Sequence, residues 1–132
     1  MRTQTRFTPN ENLIIVEAQL LGPAGIKKAR LALDTGSTQT ILSPNLIDEV
    51  GYSVRDGITR AGTYSVIGRE EGYLLSLQKF SVLGFSLEQY VVMVLDLPDG
   101  DGIEGLLGLT FVEHFILELR TREGVIWAEP VA

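Results

Sequence analysis

Short apolar and β-branched runs separated by glycine-bearing turns recur along nearly the whole chain, and this punctuation constrains its fold more than any other feature. Residues 13–21, 29–33, 59–66, 73–80, 90–95, 116–119 and 125–128 each read as a strand. Between them stand Gly22-Pro23-Ala24-Gly25 with the basic pair Lys27-Lys28, the polar tip Ile67-Gly68-Arg69-Glu70-Glu71-Gly72, the turn Leu83-Gly84-Phe85, the loop 97–102 and the turn 121–124. Two places carry helical signals instead. Ser43-Pro44 offers an N-cap with proline at the first helical position, and Gly51 closes a short helix over 44–50; residues 109–115 read as a second. Residues 38–42 are β-prone, and the run 90–95 is apolar enough to predict a strand covered on both faces. Many short strands with turns between them predict a mostly β fold, a closed or partly closed barrel or a sandwich, with one or two short helices.

A length of 132 residues predicts a single domain spanning 1–132, with the polar segment 1–11 flexible unless Phe7 anchors it. The net charge is -6 and no basic run exceeds Lys27-Lys28, which disfavours a nucleic-acid partner. The chain has no cysteine, so disulfides, thiolate catalysis and cysteine-based zinc sites are excluded together. The first ten residues lack the apolar core of a secretion signal, and no stretch has the length of a membrane span. A cytoplasmic protein with no membrane partner is expected.

The chemistry concentrates in Leu31-Ala32-Leu33-Asp34-Thr35-Gly36-Ser37-Thr38. An apolar strand ends here in one carboxylate, expected to point toward the face that Leu31 and Leu33 bury. A carboxylate in such a place is costly unless it is hydrogen-bonded or functional. Thr35 is β-branched, Gly36 lets another backbone approach closely, and Ser37 and Thr38 bring hydroxyls that can bond to an acid. The plain structural alternative is a loop aspartate bonding to its own backbone as an Asx-turn.

Other motifs carry less. Gly100-Asp101-Gly102-Ile103-Glu104-Gly105 matches the dinucleotide-binding pattern by letter, but Asp99, Asp101 and Glu104 would repel a pyrophosphate. The same acids lack the alternate-position spacing of a calcium loop, so no metal is expected. His114 is the only histidine, beside Glu113 at the end of an apolar segment, and reads as structural rather than as the centre of a Ser-His-Asp triad. Lys27, Lys28 and Arg30 read as a solvated strand edge. The Asp34 string is also similar to the first phosphate loop of actin-type and sugar-kinase proteins, but that fold needs two large domains, which this length does not provide.

Taken together with Gly105-Leu106-Leu107-Gly108-Leu109-Thr110-Phe111, the Asp-Thr-Gly-Ser string resembles the retropepsin-like aspartic proteases, and more closely their bacterial and archaeal single-lobe members. The resemblance implies a retropepsin-type barrel with a flap hairpin. It makes Asp34 the catalytic acid, Thr35, Gly36 and Ser37 the active-site loop, and Leu106, Leu107 and Gly108 the support beneath that loop. Ile67, Gly68 and Arg69 would fall at the substrate-binding flap. Tyr64 or Tyr73 would be a flap aromatic, against the plainer reading of cross-strand packing. It further implies a polypeptide substrate, water as nucleophile and no cofactor. The chemistry takes two carboxylates sharing a proton and this chain has one Asp-Thr-Gly, so a homodimer with both Asp34 residues on the axis is implied. Thr35 would then bond across the axis, and the Ser37 hydroxyl would donate to Asp34 directly or through water. Retroviral members continue their second motif with an arginine; Leu109-Thr110 lacks it, so any contact it would make must be replaced. The competing reading is a non-catalytic dimerisation or peptide-binding module on the same fold.

Overall fold

The computed structural model describes residues 1–65, 68–97 and 102–131, with the backbone alone described over 60–65 and 68–71. Its elements run β1 (Thr3–Arg6), β2 (Ile15–Gly22), β3 (Gly25–Leu33), β4 (Ile41–Leu42), α1 (Pro44–Glu49), β5 (Thr59–Ser65), β6 (Gly68–Val82), β7 (Phe85–Val94), β8 (Gly105–Leu107), α2 (Leu109–Val112), β9 (Phe115–Arg120) and β10 (Val125–Pro130), with a 3-10 turn at Val54–Asp56. None of the described helices is long and apolar enough to cross a membrane.

Alternation drives the barrel. On β2, Val16, Ala18 and Leu20 are buried while Glu17 and Gln19 are exposed, the period of a strand with one covered face. Neighbours are ordered β2-β3-β8-β4-β7-β6-β5, and Gln19–Leu21 pair a second time with Lys79–Ser81 of β6. Among the described residues that extra pairing closes six strands into a barrel and leaves β5 outside, paired only to β6. The interior holds Leu20, Leu31, Leu42, Ile47, Leu77, Phe80, Leu107 and Phe111, each at most 1% exposed. Burying one such side chain contributes about 1.5–3 kcal/mol. As expected, the β7 run is covered on both faces, with Val92, Met93 and Val94 all buried.

The helix at 44–50 forms as its signals predict. The Ser43 hydroxyl accepts the Leu46 N–H at 3.4 Å, and Gly51 ends the helix at φ +96°. The second helix stops at Val112, three residues short of the expectation. Phe115 instead opens β9, where its ring stacks on Phe85 at 4.6 Å and lies 5.0 Å from Phe111.

Three expectations are corrected. Lys27 and Lys28 belong to β3, because the β2–β3 turn closes at Pro23-Ala24; their ammonium groups reach Glu49 at 2.8 Å and Glu17 at 3.5 Å. Residues 68–72 are strand rather than tip: β6 starts at Gly68 and pairs with β5 from Ser65↔Gly68 onward, since backbone hydrogen bonds to one partner suffice where a strand leaves the barrel. Ile67, expected at the flap tip, lies outside the described residues. The segment 1–11 is not free, because β1 pairs with β10 in a three-stranded sheet β1-β10-β9 and Phe7 packs on the core. Thr3 Oγ1 donates to Leu83 O at 2.6 Å, inside the β6–β7 turn where Leu83 and Gly84 both take positive φ.

Candidate active site

Asp34 follows the last residue of β3, and two backbone hydrogen bonds and one to its side chain hold it there. Its N–H donates to Leu107 O at 2.9 Å, Ser37 N donates to Asp34 O at 3.1 Å, and Gly36 N donates to the carboxylate Oδ1 at 3.0 Å. The residue is partly buried and stands just past the end of β3, between Leu33 and the exposed pair that follows. Thr35 and Gly36, at the crest of the loop, are exposed.

Strand order explains how the loop is held. β8 lies between β3, which it parallels, and β4, which it opposes, so residues 34–40 arch over its end where Leu107 passes into Gly108. Leu109 N and Thr110 N then donate to Ser37 O and Thr38 O, each at 2.9 Å. The space under the arch admits only glycine: a Cβ on Gly108 would overlap the Gln39 carbonyl oxygen and stand 2.8 Å from Ser37 O.

A buried hydroxyl chain closes the arch from below. Gly108 N donates to Thr40 Oγ1 at 3.1 Å, Thr40 Oγ1 lies 2.8 Å from Tyr90 Oη, and Tyr90 Oη lies 2.9 Å from Thr110 Oγ1. Thr40 is 0% exposed and Tyr90 7%. Burial raises the Tyr90 phenol above its ordinary value of 10.0, the hydrogen bonds to Thr110 and Thr40 pull against that rise, and the Glu113 charge adds to it. The unfolded phenol therefore ionises first on the alkaline side. The stability this supplies is complete below about pH 10 and is lost as pH climbs through the folded value. Tyr90→Phe is expected to lose less of its urea stability above about pH 10 than the parent does; Tyr73, raised mainly by its own burial, titrates in both. Equal alkaline slopes would show that Tyr90 does not drive the loss.

Residues 16–111 match the family model described as aspartyl protease. The chain belongs to the aspartyl protease family. Among solved structures, this aspartyl protease family member is similar to a retropepsin-like aspartic protease from Rickettsia conorii, at 15% identity and a TM-score of 0.68, over 97% of this chain and 90% of that one. It is also similar to the EIAV protease solved with the inhibitor HBY-793, at 19% identity and a TM-score of 0.62, over 80% of this chain and 91% of that one. At those identities the likeness concerns the fold, which is retropepsin-like. A search of curated proteins finds no match.

In this retropepsin-like fold the two motifs read from the sequence meet, Asp34–Ser37 above and Leu106–Gly108 below. The Ser37 expectation is corrected: its hydroxyl donates to Gln39 O at 2.7 Å, so its one proton closes the loop on itself and is not given to Asp34. Gly68 and Arg69 open β6, paired with Ser65 and Tyr64. Tyr73 is half-buried against the core, as the packing reading had it, while the Tyr64 side chain is outside the description. Asp99 and Asp101 lie outside the described residues; Glu104 Oε1 accepts the Arg30 N–H at 3.1 Å. His114 is exposed, and its carbonyl accepts the Val131 N–H at 3.0 Å. Sequence reasoning missed Thr40, Tyr90 and Thr110. One signal was present, a tyrosine heading a run otherwise wholly apolar, since a buried phenol needs a partner.

Proposed function

We propose that this protein is an aspartic endopeptidase, hydrolysing peptide bonds with water activated by two Asp34 carboxylates that meet across a homodimer axis. The observation that carries the reading is the Asp34 loop of a retropepsin-like fold, its backbone tied to Leu107, Leu109 and Thr110 while its Thr35-Gly36 crest stays exposed; the Gly36 N–H bond to Oδ1 is the Asx-turn within that loop. That is half of a site, built to be completed from outside. Like charges about 3 Å apart cannot both ionise, so the pair holds one proton between them. The ionised Asp34 takes a proton from water as the oxygen attacks the scissile carbonyl. Its protonated twin gives a proton to the carbonyl oxygen. The tetrahedral diol then collapses, the C–N bond breaks and a proton passes to the leaving amine.

In the same reading Thr35 bonds to its copy across the axis, and the β5–β6 arm, with Gly68 and Arg69 beginning its second strand, closes over the substrate and bonds to its backbone by strand addition. The support of Leu106, Leu107 and Gly108 keeps Asp34 at one height in both copies. No cofactor is needed.

The test is concentration. An unfolded polypeptide is offered at about pH 4 to 7, the window of an acid dyad, while the chain is diluted and its mass followed by sedimentation. Cleavage per chain is expected to fall with the dimer fraction. Activity that persists per chain in a strict monomer ends the two-copy account, and a dimer that cuts nothing identifies a binding module of the same fold.

A further inference from the structure

We propose that Tyr90 is a positioning residue for Asp34, acting as a clasp that joins both sides of the arch; its catalytic consequence rests on the reading above, but its physical effect does not. The path is short. Asp34 N–H is received by Leu107 O, and the next residue, Gly108, is held by its own N–H on Thr40 Oγ1. Thr40 is held in turn by Tyr90, whose hydroxyl also reaches Thr110 on the helix beyond Gly108. A consistent run of donors passes from Gly108 N–H to Thr40, from Thr40 to Tyr90 and from Tyr90 to Thr110, leaving the phenol with a partner on each side.

Nothing in core packing calls for that hydroxyl. The ring already stacks on Phe80 at 5.1 Å and meets the edge of Phe111 at 5.9 Å, contacts a phenylalanine would keep. A phenol in this interior is tolerated because it is fully bonded, and its bonds go to the two segments that set the height of Asp34. Where chemistry takes two matched carboxylates, a loosened loop displaces both, and small misplacements cost disproportionately.

Tyr90→Phe removes the hydroxyl and leaves the ring; Thr110→Val removes the far partner and carries the same expectation if the first variant does not fold. In either, the Gly108 amide is expected to exchange with solvent about tenfold faster than in the parent, at a temperature where both are folded. Cleavage is expected to lose about tenfold in kcat with KM within about twofold, and the double variant to lose no more than the worse single one, because both substitutions break one chain. Parental exchange at Gly108 overturns the clasp, whether or not the protein cuts peptides. Faster exchange with parental kcat overturns the link to Asp34 and leaves the proposed function standing. A parent that cleaves nothing defeats the proposed function alone, and exchange at Gly108 still decides the clasp.

Discussion

Asp34→Asn is expected to reduce peptide-bond cleavage by about three orders of magnitude or more while leaving fold and dimer in place. The direction follows from proton bookkeeping. A carboxamide near neutral pH neither takes the proton of water nor gives one to a carbonyl oxygen, so a pair containing it has no base and acid to exchange roles. Removing acid–base assistance at one position typically costs 10²–10⁴-fold, and here one substitution alters both copies (about 10³-fold or more). The fold should survive because asparagine keeps an acceptor where Gly36 N–H now meets Oδ1 at 3.0 Å, and the Asp34 backbone bonds to Leu107 and from Ser37 do not involve the side chain. The measurement is cleavage of an unfolded polypeptide alongside thermal unfolding and sedimentation. Mixing supplies a sharper version: an excess of Asp34→Asn chains should poison the parent beyond dilution, since a mixed dimer has one carboxylate. Retained cleavage in the pure variant would remove Asp34 from the mechanism.

Gly108→Ala should be the most destabilising single methyl in the molecule that bears on the site. Its Cβ would occupy the space of the Gln39 carbonyl and press on Ser37 O, and both are backbone atoms tied down by their own bonds, Ser37 O by Leu109 N–H and Gln39 O by the Ser37 hydroxyl. No side chain can rotate away. Overpacking against fixed backbone costs on the order of 3 kcal/mol or more, which for a domain of this size lowers Tm by roughly 10 °C. Gly36→Ala is the informative contrast: its Cβ would meet one side-chain atom, Asp34 Oδ1, at 3.2 Å, a contact that a shift of a few tenths of an ångström relieves without moving backbone. It should cost much less stability. A Gly108→Ala protein that melts with the parent would mean that the arch is slack, and with it the case for a fixed Asp34.

Much of the fold was legible because its signals are local. The helix at Pro44–Glu49 announced itself by Ser43, Pro44 and Gly51, and the β2–β3 and β9–β10 hairpins by alternation and their turns. The β5–β6 arm was half legible: the hairpin was evident, but its polar residues 69–72 looked like a loop because a strand outside the barrel need not alternate. The Ser37 hydroxyl was assigned to the wrong acceptor, since a sequence lists donors without saying which carbonyl lies nearer.

What the sequence by itself determined is the apolar strand ending in Asp34, the Asp-Thr-Gly-Ser loop that follows it, and a pattern of short strands and turns that makes a mostly β fold, barrel or sandwich. Only the tertiary structure decided that β8 threads between β3 and β4, that Thr3 seals the Leu83-Gly84 turn, and that Tyr90 ties Thr40 to Thr110. The physical reason is range. Periodicity and turn chemistry act between neighbours along the chain, whereas Thr40 meets Tyr90 across 50 residues and Gly108 across 68, and such contacts leave no periodic trace in the residues that make them.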